Sequence, residues 1–124
     1  MIHDASAIST VLDHRSGLIT IVGKGLFGLP ELELHFVELA RTIRAVRSSG
    51  RNVRVMVDLR SAMVQRIGAA DAITEHNHRV YRAQDRLAIV TTSALYGLQM
   101  KRTHSDPRFG VFASESEALL FLRD

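Results

Sequence analysis

Short apolar runs alternate with longer segments of helical periodicity, and this feature most constrains the fold. β-branched and apolar residues dominate residues 18–22, 53–59 and 87–90. Between the first two runs, Leu32 and Leu39 recur at the spacing of one helical face. Strands joined through a helix lie parallel, with a right-handed crossover. The pattern therefore predicts an α/β fold with a mainly parallel sheet.

The order of elements predicted along the chain is β-β-α-β-α-β-α-β-α. A turn at residues 14–17 joins the first two strands as a hairpin, so the predicted sheet is mixed. Helices flank this sheet. The predicted strands are 7–13, 18–22, 53–59, 87–90 and 109–112. The predicted helices are 31–47, 68–83, 94–103 and 115–122. Residues 23–29 and 60–67 are predicted to be loops.

Length and composition narrow the class of protein. A chain of 124 residues predicts a single domain, 1–124. The absence of cysteine rules out disulfides, thiolate nucleophiles and cysteine-based zinc sites. No apolar run reaches about 18 residues, so we expect no membrane span. The start, Met1 to Asp4, lacks the basic and apolar regions of a signal peptide. We therefore expect a cytoplasmic location.

The charge pattern argues against nucleic-acid binding. The net charge is +3, with 14 Arg, 2 Lys and 13 acidic residues. The acidic residues are interspersed, and no block of like charge occurs, so we expect no nucleic-acid partner. Arg41, Arg44, Arg47 and Arg51 share one side of the first predicted helix and its end. We interpret them as a solvated face.

Residues 23–28 match the pattern G-x-G-x-x-G after a strand, but they do not predict a dinucleotide site. Glu31 and Glu33 open the following helix and would repel a pyrophosphate. Asp58 follows Gly28 by 30 residues, whereas the fingerprint places its acid about 20 residues on. We therefore interpret the segment as a flexible loop and expect no cofactor.

The histidines and serines of the chain do not predict a metal site or a hydrolase. His76 and His78 lie two residues apart on a predicted helix, so they point in different directions. His76 falls on the inner stripe and is predicted to be a half-buried, hydrogen-bonded histidine. No G-x-S-x-G motif occurs. We therefore expect no metal, no catalytic residues and no enzymatic activity.

The carboxyl edge of a parallel sheet is where ligands bind in such folds. The amino ends of the second and third helices meet this edge, and helix amino ends attract anions. Two interpretations stay open for Met63 and Val64, namely a contact surface or burial in the core. Residues 26–29 are likewise either packed under the first helix or an apolar lip. The candidate binding residues are Asp58, Arg60, Met63, Val64, Arg66, Thr91, Thr92, Ser93 and Phe27.

The order of elements, together with Val-Met-Val-Asp-Leu at residues 55–59, resembles the STAS fold. This is the fold of anti-sigma factor antagonists and of sulfate-transporter tails. The chain looks closest to the SpoIIAA-like branch of small bacterial proteins, which has also been compared with CRAL-TRIO lipid-transfer domains. The antagonists carry a phosphorylated Asp-Ser-Ser-Gly at the start of the next helix. Here the matching residues are Gln65, Arg66, Ile67 and Gly68, so only the glycine matches. Ser61 lies earlier and is not equivalent.

The resemblance implies a non-enzymatic regulatory or binding module that acts through protein–protein contact, without the phosphorylated serine. One alternative is a small domain that binds a lipid or amphiphile. A weaker alternative is an enzyme of unknown class. The expected partner is a protein, with an anionic lipid or amphiphile as the second choice and a weak homodimer left open.

Overall fold

The elements follow the predicted order in a computed structural model that describes residues 6–123. Met1 to Asp4, on which the signal-peptide expectation rests, lie outside the described residues. The strands are β1 (Ala7–Leu12), β2 (Leu18–Gly25), β3 (Arg54–Ala62), β4 (Arg86–Val90) and β5 (Phe109–Phe112). The helices are α1 (Leu29–Ser48), α2 (Ile67–Val80), α3 (Ala94–Thr103) and α4 (Glu115–Arg123).

The five strands form one mixed sheet, in the order β1-β2-β3-β4-β5. β1 pairs antiparallel with β2 through the predicted hairpin, and Gly17 takes a φ of +79° in its turn. The other pairs are parallel, because a helix separates their strands in the chain. The mixed, mainly parallel sheet is therefore confirmed.

Helices cover the two faces of the sheet unequally. Successive strand residues point to opposite faces, so Val55 packs on one side and Met56 on the other. The larger core joins the Val55 side to α1, α2 and α3. The smaller core packs Met56, Ala88 and Val90 against Ala118 of α4. The described residues thus form a single α/β domain.

Two predicted loops are partly strand. β2 continues to Gly25 and β3 to Ala62, and a bulge near Gly23 shifts their register so that Lys24 pairs with Ser61. The prediction of loops from residues 23 and 60 was therefore wrong at their starts. The glycines at residues 23 and 25 favour a loop, but parallel pairing with β3 keeps this segment extended. α2 ends at Val80 instead of residue 83, because the Arg82 N–H donates to the Asp85 carboxylate.

The prediction of a solvated arginine face is wrong at the carboxyl end of α1. Arg41 and Arg44 are exposed, but Arg47 forms an ion pair with the buried Asp85. Asp85 also accepts hydrogen bonds from the backbone N–H groups of Val53 and Arg82. Burial tends to raise the pKa of Asp85, but these bonds and Arg47 outweigh it, and the pKa is lowered.

Arg51 is also engaged, since it donates to the carbonyl oxygens of His14 and Arg15 in the hairpin turn. The structure therefore uses Arg47 and Arg51 to join α1 and its following loop to other elements. Among residues 6–123, no helix is both long and apolar enough to cross a membrane.

Candidate functional site

The carboxyl ends of β2, β3 and β4 lie side by side, because these strands are parallel neighbours. Four connections leave from this side of the sheet, namely β2–α1, β3–α2, β4–α3 and β5–α4. We call this region the carboxyl edge. The first two connections touch directly, since the Met63 N–H donates to the Gly25 carbonyl at 3.1 Å.

Gln65 fixes the conformation of the β3–α2 connection. Its side-chain oxygen accepts from the Phe27 N–H at 2.8 Å. Its Nε2 donates to the carbonyl oxygens of Gly25 at 2.9 Å and Met63 at 2.6 Å. A buried amide that both accepts and donates can join two loops in this way. Sequence analysis missed this role, and a lone glutamine carries no pattern that would reveal it.

Apolar side chains stand in solvent on the connection that Gln65 fixes. Met63 is 58% exposed, Val64 41% and Ile67, the first residue of α2, 82%. The interpretation that Met63 and Val64 are buried in the core is therefore wrong. At this point of the connection the inward position is taken by the next residue, Gln65, whose side chain binds the neighbouring loop.

The apolar segment at residues 26–29 divides into two parts. Phe27 is only 8% exposed and belongs to the core, so it packs under α1. A Cβ on Gly23 would lie 2.7 Å from the Phe27 ring, which explains why a glycine stands there. Leu26 and Leu29 remain partly or largely exposed beside the β3–α2 connection. These two leucines are therefore further exposed apolar residues, before and at the start of α1.

Asp58 and Arg60 neutralise each other. The Arg60 guanidinium donates to both Asp58 carboxylate oxygens, with Nε–Oδ1 at 2.9 Å and Nη2–Oδ2 at 2.8 Å. This hydrogen bonding lowers the pKa of Asp58 and raises that of Arg60. Glu115 at the start of α4 lies 3.6 Å from Arg60. The side chains of Asp58 and Arg60 therefore lie on the face of the sheet that α4 covers.

Arg66 is exposed like Arg60, but unlike Arg60 it has no ion-pair partner among residues 6–123. It is the N-cap residue of α2, and its side chain makes no capping hydrogen bond. The first N–H groups of α2 therefore lack a side-chain acceptor. Free N–H donors beside a cation favour an anionic or acceptor group.

The hydroxyl residues after β4 are largely committed to the fold. Thr91 is buried, and its Oγ1 accepts from the Ser93 N–H at 3.3 Å. Ser93 caps α3, as predicted, by accepting from the Tyr96 N–H at 3.1 Å. Thr92 is exposed. Among the helix amino ends at this edge, those of α1 and α2 have no side-chain cap, whereas Ser93 caps α3.

A small apolar cavity lies between the sheet and the helices α1 and α2. Its volume is about 50 Å³, and Phe27, Phe36 and His76 are among the residues that line it. His76 is buried and stacks on Phe36 with a ring separation of 3.9 Å. Burial lowers the pKa of His76 to about 4, so this histidine is neutral at pH 7. Ligand cavities usually measure about 300–1,000 Å³.

His76 occupies the inner stripe of α2, as predicted, and its Nδ1 lies 3.4 Å from the Asn77 Oδ1. His78 is exposed and its Nε2 lies 2.9 Å from the Thr103 carbonyl. No group of three or more candidate metal ligands occurs within the part of the chain that the structure describes.

This architecture recurs in solved structures. An anti-sigma factor antagonist from Mycobacterium paratuberculosis superposes with a TM-score of 0.63 at 15% identity, over 95% of this chain and 96% of its own. An uncharacterised protein of the DUF3478 family with a SpoIIAA-like fold, from Shewanella loihica PV-4, gives 0.68 at 13% identity, over 98% of both chains. The sequence matches no protein-family model and no curated protein. The likeness shows that the chain has a SpoIIAA-like, STAS-type fold.

Proposed function

We propose that this chain is a non-enzymatic regulatory module that binds a protein partner through its carboxyl edge. The observation that carries the proposal is the exposure of Met63, Val64 and Ile67 on a connection that Gln65 holds in place. Apolar groups grouped on a surface mark sites of protein contact. A fixed loop also loses little conformational freedom on binding, which favours affinity.

Charge at the same edge defines the kind of partner surface. Arg66 and the uncapped amino end of α2 lie in sequence between Val64 and the rest of the helix. Interfaces place apolar residues at their centre and charged residues at their rim. The partner therefore presents an apolar patch next to a carboxylate. Asp58 and Arg60 contribute less to binding, because they already satisfy each other.

The fold likeness to an anti-sigma factor antagonist supports a protein as the partner. The proposed contact is not controlled by phosphorylation at the start of α2, because Arg66, Ile67 and Gly68 carry no hydroxyl group. The lipid alternative has less support, since the apolar cavity of about 50 Å³ is far smaller than ligand cavities of about 300–1,000 Å³. A larger groove between α2 and α3, of about 360 Å³, has polar side chains in its lining, including Asp71, Thr74 and Arg102.

The test compares protein capture by the wild type and by two matched double variants. Met63→Asp with Val64→Asp places two charges on the proposed surface. Leu34→Asp with Val37→Asp places the same charges on exposed apolar positions of α1. Each variant is first checked by circular dichroism and thermal unfolding. We expect a partner, identified by quantitative mass spectrometry after capture from the host cell lysate, to be lost only with the first pair.

A second arm separates a protein from a membrane. Vesicles of phosphatidylglycerol are sedimented with the wild type and with Arg66→Glu, using Arg44→Glu as the matched charge control. Protein capture without sedimentation supports the proposal. The lipid alternative replaces the proposal under three joint conditions. The wild type sediments with the vesicles, Arg66→Glu abolishes that sedimentation, and no protein is captured from the lysate. Equal capture by both aspartate pairs would mean that the carboxyl edge is not the contact surface.

A further inference from the structure

β1 forms one edge of the sheet, and among residues 6–123 no strand pairs with its outer side. An edge strand offers unpaired N–H and C=O groups to other chains, and proteins protect such edges with charges, proline, bulges or short strands. β5, at the opposite edge, is only four residues long. β1 has six residues, Ala-Ile-Ser-Thr-Val-Leu, without a charge or a proline, and its pairing with β2 has no bulge. The β1 edge therefore lacks these protections.

The pairing with β2 settles which backbone groups of β1 face outward. The Asp13 N–H donates to the Leu18 carbonyl at 2.9 Å, so these two residues form a hydrogen-bonded pair. Opposite residues of an antiparallel pair alternate between hydrogen-bonded and non-hydrogen-bonded pairs. By this alternation, the backbone N–H and C=O groups of Ile8, Thr10 and Leu12 point away from β2. They form a row of donors and acceptors along the open edge.

This row of groups is complementary to itself. Two copies of β1 can lie antiparallel with Thr10 opposite Thr10, so that Ile8 lies opposite Leu12 and every edge-facing group has a partner. The side chains match as well, because opposite residues share a face of the sheet. Ile8 and Leu12, both partly buried against the larger core, meet on one face. Ser9 and Val11, which is 63% exposed, meet on the other.

Charges near the two ends of β1 favour the same arrangement. Lys24 pairs with Ala7 at the start of β1, Asp13 follows its end, and both charged residues are exposed. In the register centred on Thr10, Asp13 of the second copy lies opposite Ala7. Lys24 and that carboxylate then lie two strand spacings apart, about 10 Å, with only a methyl group between them. Lys24 has no ion-pair partner among residues 6–123 and can extend across this gap.

We propose that this chain forms a homodimer in which two β1 strands pair antiparallel and join the two sheets into one. A second copy fits this edge because a single register pairs the backbone groups, the apolar side chains and the charges, each twice by symmetry. The two copies of β2 then run in opposite directions, so the two carboxyl edges face opposite ways. One dimer thus presents two partner-binding surfaces, and this consequence alone rests on the proposed function.

Sedimentation velocity over a range of protein concentrations tests the dimer. We expect the full chain to pass reversibly from monomer to dimer as its concentration rises. Ser9→Lys with Val11→Lys places like charges opposite each other, and it should raise the dissociation constant about tenfold. Leu34→Lys with Val37→Lys adds the same charges at exposed positions of α1 and should leave the dissociation constant unchanged. Circular dichroism and thermal unfolding first check the fold of each variant.

Charge exchange tests the register. Ser9→Glu with Val11→Glu should also weaken self-association, for the same reason as the double-lysine variant. A mixture of the two variants should form a heterodimer, because each lysine then lies opposite a glutamate. Lys24→Glu leaves β1 unchanged, so it tests the interface even where a substitution in β1 disturbs the fold. It should weaken the dimer by placing a negative charge near Asp13 of the second copy.

Hydrogen exchange reports on the edge itself. The amides of Ile8, Thr10 and Leu12 should exchange more slowly as the dimer forms. Met63→Asp with Val64→Asp should leave the dimer unchanged, so a failed dimer and a failed partner surface are distinguishable. The proposal is overturned if the full chain stays monomeric, if the double-lysine variant dimerises as well as its control, or if the mixed variants do not associate. A chain that stays monomeric would leave the β1 edge to a strand of another protein.

Discussion

Replacing Gln65 by alanine removes the side chain that joins two connections of the carboxyl edge. Three hydrogen bonds are lost, of which the bond from the buried Phe27 N–H matters most. An unpaired buried donor costs about 1–3 kcal/mol. The Gly25 carbonyl keeps its bond from the Met63 N–H, so the two donated bonds add less. We expect Gln65→Ala to lower the free energy of unfolding by about 2–4 kcal/mol.

Urea unfolding followed by circular dichroism measures this change. With a slope of about 2 kcal/mol per molar urea, the midpoint should fall by about 1–2 M. The exposed Gln84 gives the matched control, and Gln84→Ala should change the free energy of unfolding by less than about 0.5 kcal/mol. A change for Gln65→Ala as small as that of the control would refute the joining role of the amide.

Gln65→Glu adds a test that depends on pH. An ionised carboxylate can accept from the Phe27 N–H, but it cannot donate to the carbonyl oxygens of Gly25 and Met63. The folded state therefore raises the pKa of the new glutamate above its unfolded value of about 4.3. The protonated glutamate stabilises the fold below pH 4.3, and this stabilisation is lost as pH rises through the folded pKa. A stability difference from the wild type that stays constant from about pH 4 to 7 would contradict the geometry.

Three further predictions concern the fold and the motifs. Asp85→Ala should lower the free energy of unfolding at pH 7 by about 3 kcal/mol in urea titrations; because the pKa of Asp85 is lowered, this difference should shrink as pH falls through its folded pKa. Millimolar NAD or ATP should not raise the melting temperature, and a clear rise would restore the dinucleotide interpretation of residues 23–28. Phosphopeptide mapping after treatment with a partner-switching kinase should find no stoichiometric phosphate on Ser61.

The order and type of elements could be predicted because apolar periodicity records them directly. Residues 18–22 and 87–90 are strands in the structure, and Ser93 and Ser114 begin helices as their capping patterns indicate. The ends of β2 and β3 could not be predicted in the same way. Their last three residues, Gly-Lys-Gly and Arg-Ser-Ala, lack the β-branched residues typical of a strand, and pairing between the two strands keeps them extended.

The candidate site was predictable in its position but not in its detail. Parallel strands bring the connections together whatever their sequence, so the carboxyl edge follows from topology. The pairing of Asp58 with Arg60 could have been inferred, since alternate residues of a strand share a face. The link from Arg47 to Asp85 joins residues 38 positions apart, and no local pattern indicates it. The same holds for Gln65 and Phe27.

The order of the strands in the sheet has a consequence for folding. Each strand after β1 pairs with the strand that precedes it in the chain, so the sheet can grow in the order of the sequence. The parallel pairs join residues 22 to 37 positions apart, and pairings of such separation form slowly. During synthesis, each new strand and helix can dock on the sheet already formed. The exception is the face of Met56, Ala88 and Val90, which stays uncovered until α4 arrives. A ribosome paused before α4 would therefore hold an intermediate with a bare apolar sheet face, and this species is where we expect chaperones to bind.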